Sequence, residues 1–136
     1  MYVTLDQPTG ARLITRDQEL AVPVTLRYTS DDPLAVHFAF PAWIALDGEP
    51  VTWTFARALL EEGLGISTGL GSVHIWPCGP TDTIVELHTA DGVAMLRFRT
   101  ADLRRFLLRS YTVTEPGAEA MGPALEHGLA ALLDGV

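Results

Sequence analysis

Lysine is absent from this chain, cysteine occurs once, and no apolar run approaches the length of a membrane span. Each absence excludes something. The lone Cys78 permits no intrachain disulfide and no zinc site built on several thiolates, which fits a reducing compartment. A membrane-spanning helix needs about 18 or more consecutive apolar residues. No basic segment followed by an apolar one opens "MYVTLDQPTGARLITRDQEL", so the expectation is a soluble cytoplasmic protein without membrane insertion. Positive charge is also scarce. Nine basic residues, all arginine, against 17 Asp and Glu give a formal net charge of −8, which argues against general adhesion to nucleic acid or anionic membranes.

What is present is enough for one core. The 136 residues, 48% hydrophobic and 19% charged, suit one folded domain better than two or a disordered chain. From residue 11 to 55 the apolar residues alternate in short runs, the period of a sheet. "PVTLRY" sets Val24, Leu26 and Tyr28 on one face, "SDDP" reads as a turn, and "LAVHFAF" sets Leu34, Val36, Phe38 and Phe40 against Ala35, His37 and Ala39. In "VTWTFARALLEEGL" the period changes without a turn. Val51, Trp53 and Phe55 alternate with threonines, then Phe55 with Leu59 and Ala56 with Leu60 fall at helical spacing, with Thr54 expected as N-cap and Gly63 as the residue past the helix end.

The second half repeats this order. After the connection "GLGISTGLG" come the strand-like runs "SVHIWP", "TIVELHT" and "GVAMLRFRT", and Thr100 is expected to cap a helix whose inner face is Leu103, Phe106, Leu107 and Ser110. The fold class is therefore α+β, two strand-meander-then-helix halves in a single domain over 1–136. Its core runs from about 11 to 112, a linker spans 113–120, and a C-terminal helix over 121–134 carries the stripe Met121, Leu125, Leu129, Leu132 and Leu133.

No catalytic or ligand-binding constellation emerges, and neither a cofactor nor a metal is expected. The glycines at 63, 65, 69 and 71 lie between a helix and a strand, the wrong order for a dinucleotide loop, and a P-loop lysine is lacking. The histidines at 37, 74, 88 and 127 are scattered singly, and Cys78 has no identifiable base. The chain is not read as an enzyme. The strongest contrast lies in the arginines. Arg97, Arg99, Arg104, Arg105 and Arg109 fall within thirteen residues, a basic region suited to carboxylates on a partner; ordinary solvation of a helix would place Arg104 and Arg109 equally well. Trp76 and Ile84 are candidate apolar groups on the second face of the sheet, suited to contact between subunits.

"LAVPVTLRYTSDDPLAVHFAF", "VTWTFARALLEEGL" and "GLGSVHIWP", in this order and spacing, resemble the SsgA-like proteins, small actinobacterial regulators of sporulation-specific cell division. The resemblance covers roughly residues 11 to 110, and arginine without lysine suits a GC-rich genome. It implies a Whirly-like fold, a homotrimer and no catalytic activity. The implied role is that of an adaptor at division septa or sites of wall synthesis, with the tubulin-like protein FtsZ or another SsgA-like protein as partner. The alternative is a single-stranded nucleic-acid-binding module of Whirly-like fold, which needs a basic groove with stacking aromatics where this chain has only the arginine cluster.

Overall fold

The computed structural model describes residues 2–44 and 48–119. Among the described residues, eight strands form one antiparallel sheet in the order β4-β3-β2-β1-β8-β7-β6-β5, curled into a half-barrel and accompanied by two helices. The first meander is β1 (Thr4–Ile14), β2 (Glu19–Thr29), β3 (Ala35–Phe40) and β4 (Val51–Ala56), which passes directly into α1 (Arg57–Gly63). The second is β5 (Thr68–Leu70), β6 (Val73–Cys78), β7 (Asp82–Thr89) and β8 (Gly92–Arg99), which passes directly into α2 (Thr100–Val113). The repeat of pattern read from the sequence is thus a repeat of structure. The halves join where β1 meets β8, over only three residue pairs, Arg12 with Arg97, Leu13 with Leu96 and Ile14 with Met95.

Alternation decides which face each strand buries. Val22, Val24, Leu26 and Tyr28 of β2, Val36, Phe38 and Phe40 of β3, and Phe55 of β4 turn inward, as do Val85 and Leu87 of β7 and Leu96 and Phe98 of β8. Phe38 meets Phe55 edge-on with centroids 4.9 Å apart, and meets Phe98 from the other half at 5.4 Å, so aromatic packing crosses the join. Leu103, Phe106, Leu107 and Ser110 of α2 close over this core.

Several local expectations are corrected. The strands begin at Thr4 rather than near residue 11, because β1 puts Gln7 and Thr9 on its inner face and carries Pro8 and Gly10, so its alternation is not one of hydrophobicity. The run "GLGISTGLG" contains the short edge strand β5. Neither threonine caps its helix. The caps are Ala56 and Arg99, without side-chain bonds, while Thr54 Oγ1 pairs with His37 Nδ1 at 2.8 Å and Thr100 Oγ1 with Thr83 Oγ1 at 2.7 Å. In both places the β ladder runs to the last residue before the helix, and the threonine hydroxyls are used across strands. Gly63 lies inside α1 and is needed for a different reason: a Cβ there would sit 2.3 Å from Ile75 Cγ2. The helix expected over 121–134, with His127, lies outside the described residues.

Candidate functional site

Because α2 buries Leu103, Phe106, Leu107 and Ser110, helical geometry turns Arg104, Arg105 and Leu108 outward. Together with Arg109 they line a shallow groove of about 760 Å³ between α2 and the start of β1, where Val3, Thr4 and Leu5 form the other wall. Leu108 is 58% exposed and Val3 52%, so the arginines flank apolar surface. Arg109 is held: its Nη1 donates to Gln7 Oε1 at 3.2 Å, and Gln7 Nε2 donates to the Asp102 carbonyl at 2.9 Å, so one buried glutamine ties β1 to α2. Arg104 and Arg105 have no ion-pair or hydrogen-bond partner among the described residues.

The other two arginines of the predicted cluster face elsewhere. Arg97 projects from the sheet face turned away from the core, where Nε donates to Glu19 Oε1 at 2.9 Å and Nη1 to Asp82 Oδ2 at 3.4 Å and Cys78 Sγ at 3.5 Å. Arg99, exposed at the end of β8, joins Arg97 and Arg12 around a second cleft. Five arginines close in sequence therefore serve two surfaces, because a strand and the helix that follows it present side chains along different directions.

Trp76 and Ile84 are direct cross-strand partners on this second sheet face, and the ladder continues the row through Arg97 to Arg12. Ile84 is only 2% exposed in the single chain, whereas Trp76 is half-buried. Trp43 stands 68% exposed in the 3-10 turn Ala42–Ile44.

Sequence reading passed over Arg57, the first residue of α1, which is 1% exposed. Its guanidinium lies between the rings of Tyr28 and Tyr111, 4.8 and 5.0 Å from their centroids. Nη1 donates to the Ser110 carbonyl at 3.2 Å, Ser110 Oγ at 3.3 Å and the Thr114 carbonyl at 2.8 Å, and Nη2 donates to Glu119 Oε1 at 2.6 Å. That hydrogen bond holds the Glu119 carboxyl below its ordinary pKa, while burial, followed by the nearby Glu61 carboxylate, pushes Tyr111 up to about 12. One side chain thus fastens the first helix to the end of the second. The available signal was a charged residue inside the strand-to-helix passage, at a position where the apolar pattern leaves no solvent-facing place for it.

Among the described residues no three His, Cys, Asp or Glu side chains are placed to hold a metal ion, and no helix is long and apolar enough to cross a membrane. His74 and His88 lie ring to ring at 5.1 Å, with His88 bonded to Glu86. The family model described as "Streptomyces sporulation and cell division protein, SsgA" matches residues 22–119. The chain belongs to the SsgA family. It is 41% identical over 121 residues to the sporulation-specific cell division protein SsgB of Salinispora tropica, covering 86% of this chain and 84% of that one. SsgB of Streptomyces coelicolor is 36% identical, over 89% and 88% of the two chains.

Solved structures agree. An SsgB structure from a study relating its mutations to longitudinal cell division during sporulation of S. coelicolor superposes with a TM-score of 0.77 at 35% identity, covering 88% of this chain and 94% of that one. The SsgA-like sporulation-specific cell division protein from Thermobifida fusca superposes at 0.75 with 34% identity, covering 96% and 94%. The SsgA family is one of sporulation and cell division proteins rather than of enzymes, and the resemblance read from the sequence blocks is correct.

Proposed function

We propose that this SsgA-family protein is a non-enzymatic adaptor of sporulation-specific division, working in the cytoplasm at division septa or wall-synthesis sites. It assembles as a homotrimer of Whirly-like subunits and positions FtsZ or wall machinery through protein contacts. The observation that carries this reading is the outer face of α2. Arg104 and Arg105, without a partner among the described residues, lie beside exposed Leu108 and the groove against Val3 and Leu5, an arrangement suited to an acidic partner with apolar side chains. Trp76, with Ile84 beside it on the next strand, supplies apolar area on the opposite sheet face for contact between subunits. The nucleic-acid alternative is disfavoured by the formal charge of −8, which an oligomer multiplies.

The test is reversal of both exposed charges, Arg104→Glu with Arg105→Glu, in a fluorescent fusion. The expected result is loss of septal recruitment and of complementation in a null strain, with circular dichroism and light-scattering mass unchanged. A reversed protein that still localises and complements removes α2 from the reading. A wild-type mass of one chain at micromolar concentration removes the trimer, since an interface of standard size normally supports association there.

A further inference from the structure

Beside its three residue pairs, the join between β1 and β8 opens a cleft. Beyond Arg12 and Arg97 the ladder stops: no strand among the described residues pairs with β1 from Thr4 to Ala11 on that side, and β8 runs on through Phe98 and Arg99 into α2. The two strands diverge around a cleft of about 710 Å³ lined by Gly10, Arg12, Thr81, Asp82, Arg97 and Arg99, among others. Farther along, the gap is spanned by the Gln7 side chain reaching the Asp102 carbonyl, so the cleft is bounded at both ends.

Its charge is unusual for this chain. Arg12 and Arg97 are direct cross-strand partners, an arrangement that costs stability unless anions compensate it. Glu19 and Asp82 both go to Arg97, and neither Arg12 nor Arg99 has a partner among the described residues. A protein with formal net charge −8 thus gathers three of its nine arginines around one cleft and leaves two of the three guanidinium groups unneutralised.

We propose that this cleft binds an extended acidic segment of a partner protein, whose carboxylates pair with Arg12 and Arg99 while its backbone lies along the open side of β1. A guanidinium matches a carboxylate in two-point geometry, and an unpaired strand side offers main-chain groups to an extended chain. Gly10 leaves the floor open, since a Cβ there meets nothing within 4 Å. The site adjoins the α2 groove at Ala101 but has its own arginines, and each stands or falls without the other.

Fluorescence anisotropy of the full chain with a labelled ten-residue peptide alternating Glu with Leu or Val tests this. Saturable binding is expected for wild type, weakened at least tenfold by Arg12→Ser with Arg99→Ser. Both residues are exposed and Arg12 faces a like charge, so thermal unfolding of that variant should come no earlier than that of wild type. Gly10→Leu fills the cleft with every charge retained and should weaken binding as strongly, whereas Arg104→Ser with Arg105→Ser should leave it unchanged. Glu19→Gln should tighten binding by removing a carboxylate from beside the cleft and its ion pair with Arg97 Nε. Three results would overturn the proposal: no saturation up to millimolar peptide, wild-type affinity retained by the Arg12/Arg99 or the Gly10 variant, or displacement by inorganic phosphate at concentrations equal to the peptide.

Discussion

Arg57→Met is the most exacting perturbation the structure offers, because it keeps volume at a buried site while removing every bond the guanidinium makes. The variant forfeits two ring stacks worth about 1 kcal/mol each. It also leaves the Thr114 carbonyl without this donor, the Ser110 carbonyl with the Thr114 N–H alone and the Glu119 carboxylate with the Gly117 N–H alone, and hydrogen bonds to a charged group contribute about 1.5 to 3 kcal/mol each. These terms overlap. Removing one partner from a buried ion pair costs about 3 to 5 kcal/mol, and about 4 kcal/mol is the expected loss here. With a urea slope of about 2 kcal/mol/M, the midpoint should fall by about 2 M at unchanged slope and fixed protein concentration. Arg57→Lys keeps the charge without the planar fork and should lie between. A midpoint shift below about 0.3 M for Arg57→Met would refute the argument that this residue fastens α1 to the end of α2. The same contact sets a pH dependence. Glu119 is held below its ordinary pKa of 4.5 by the bond from Arg57, so its contribution is present above 4.5 and is lost as pH falls through the lower folded value. Glu119→Gln should remove that acid limb.

Two glycine substitutions should separate rigid from yielding neighbours. Gly63→Ala drives a methyl to 2.3 Å from the fully buried Ile75 and should cost about 1 to 3 kcal/mol in denaturant unfolding. Gly69→Ala meets only the exposed His74 ring, which can turn away, and should cost under about 1 kcal/mol; equal losses would contradict the packing account. In an ultraviolet titration one of the three tyrosines should ionise only near pH 12 and vanish from the curve in Tyr111→Phe. The folded chain keeps that proton where the unfolded chain has lost it, so stability should fall as pH rises from 10 toward 12, and less steeply in the variant.

The strands legible in the sequence are those whose inner faces are uniformly apolar. In β2 and β3, Val22, Val24, Leu26 and Val36, Phe38 mark the period directly. The strand that escaped, the N-terminal part of β1, is the one beside the seam. Gln7 occupies its inner face because α2 offers main-chain and guanidinium partners there rather than an apolar wall, and the Thr9 hydroxyl beside it bonds to Gln7. Polar residues at core positions are intelligible only once the tertiary partner is known, and that partner lies 95 residues away. The caps failed for a related reason. A threonine near a helix start is a capping signal when its hydroxyl is otherwise free, but Thr54 and Thr100 are each claimed by a neighbouring strand.

The arginines show the same limit at the candidate sites. Spacing along the chain places Arg97, Arg99, Arg104 and Arg105 in one basic region; sheet register instead pairs Arg97 with Arg12, distant in sequence, and helix geometry sends Arg104 and Arg105 to another surface. Arg12 gives no sign in the sequence, because nothing near it distinguishes it from a solvated strand residue. Its meaning comes from facing a like charge across the ladder while the available carboxylates go to its neighbour. A fold selected for stability alone would replace Arg12 with a neutral residue, since like charges directly opposite are destabilising and Arg97 already holds Glu19 and Asp82. Retaining both, beside a ladder that stops after three pairs, is the pattern of a surface where stability is given up locally for binding. Arg12→Thr should therefore raise the unfolding midpoint of the isolated protein slightly while weakening capture of the acidic peptide. If the substitution instead destabilises the chain, Arg12 is a structural residue, and the case for the cleft loses its principal energetic argument.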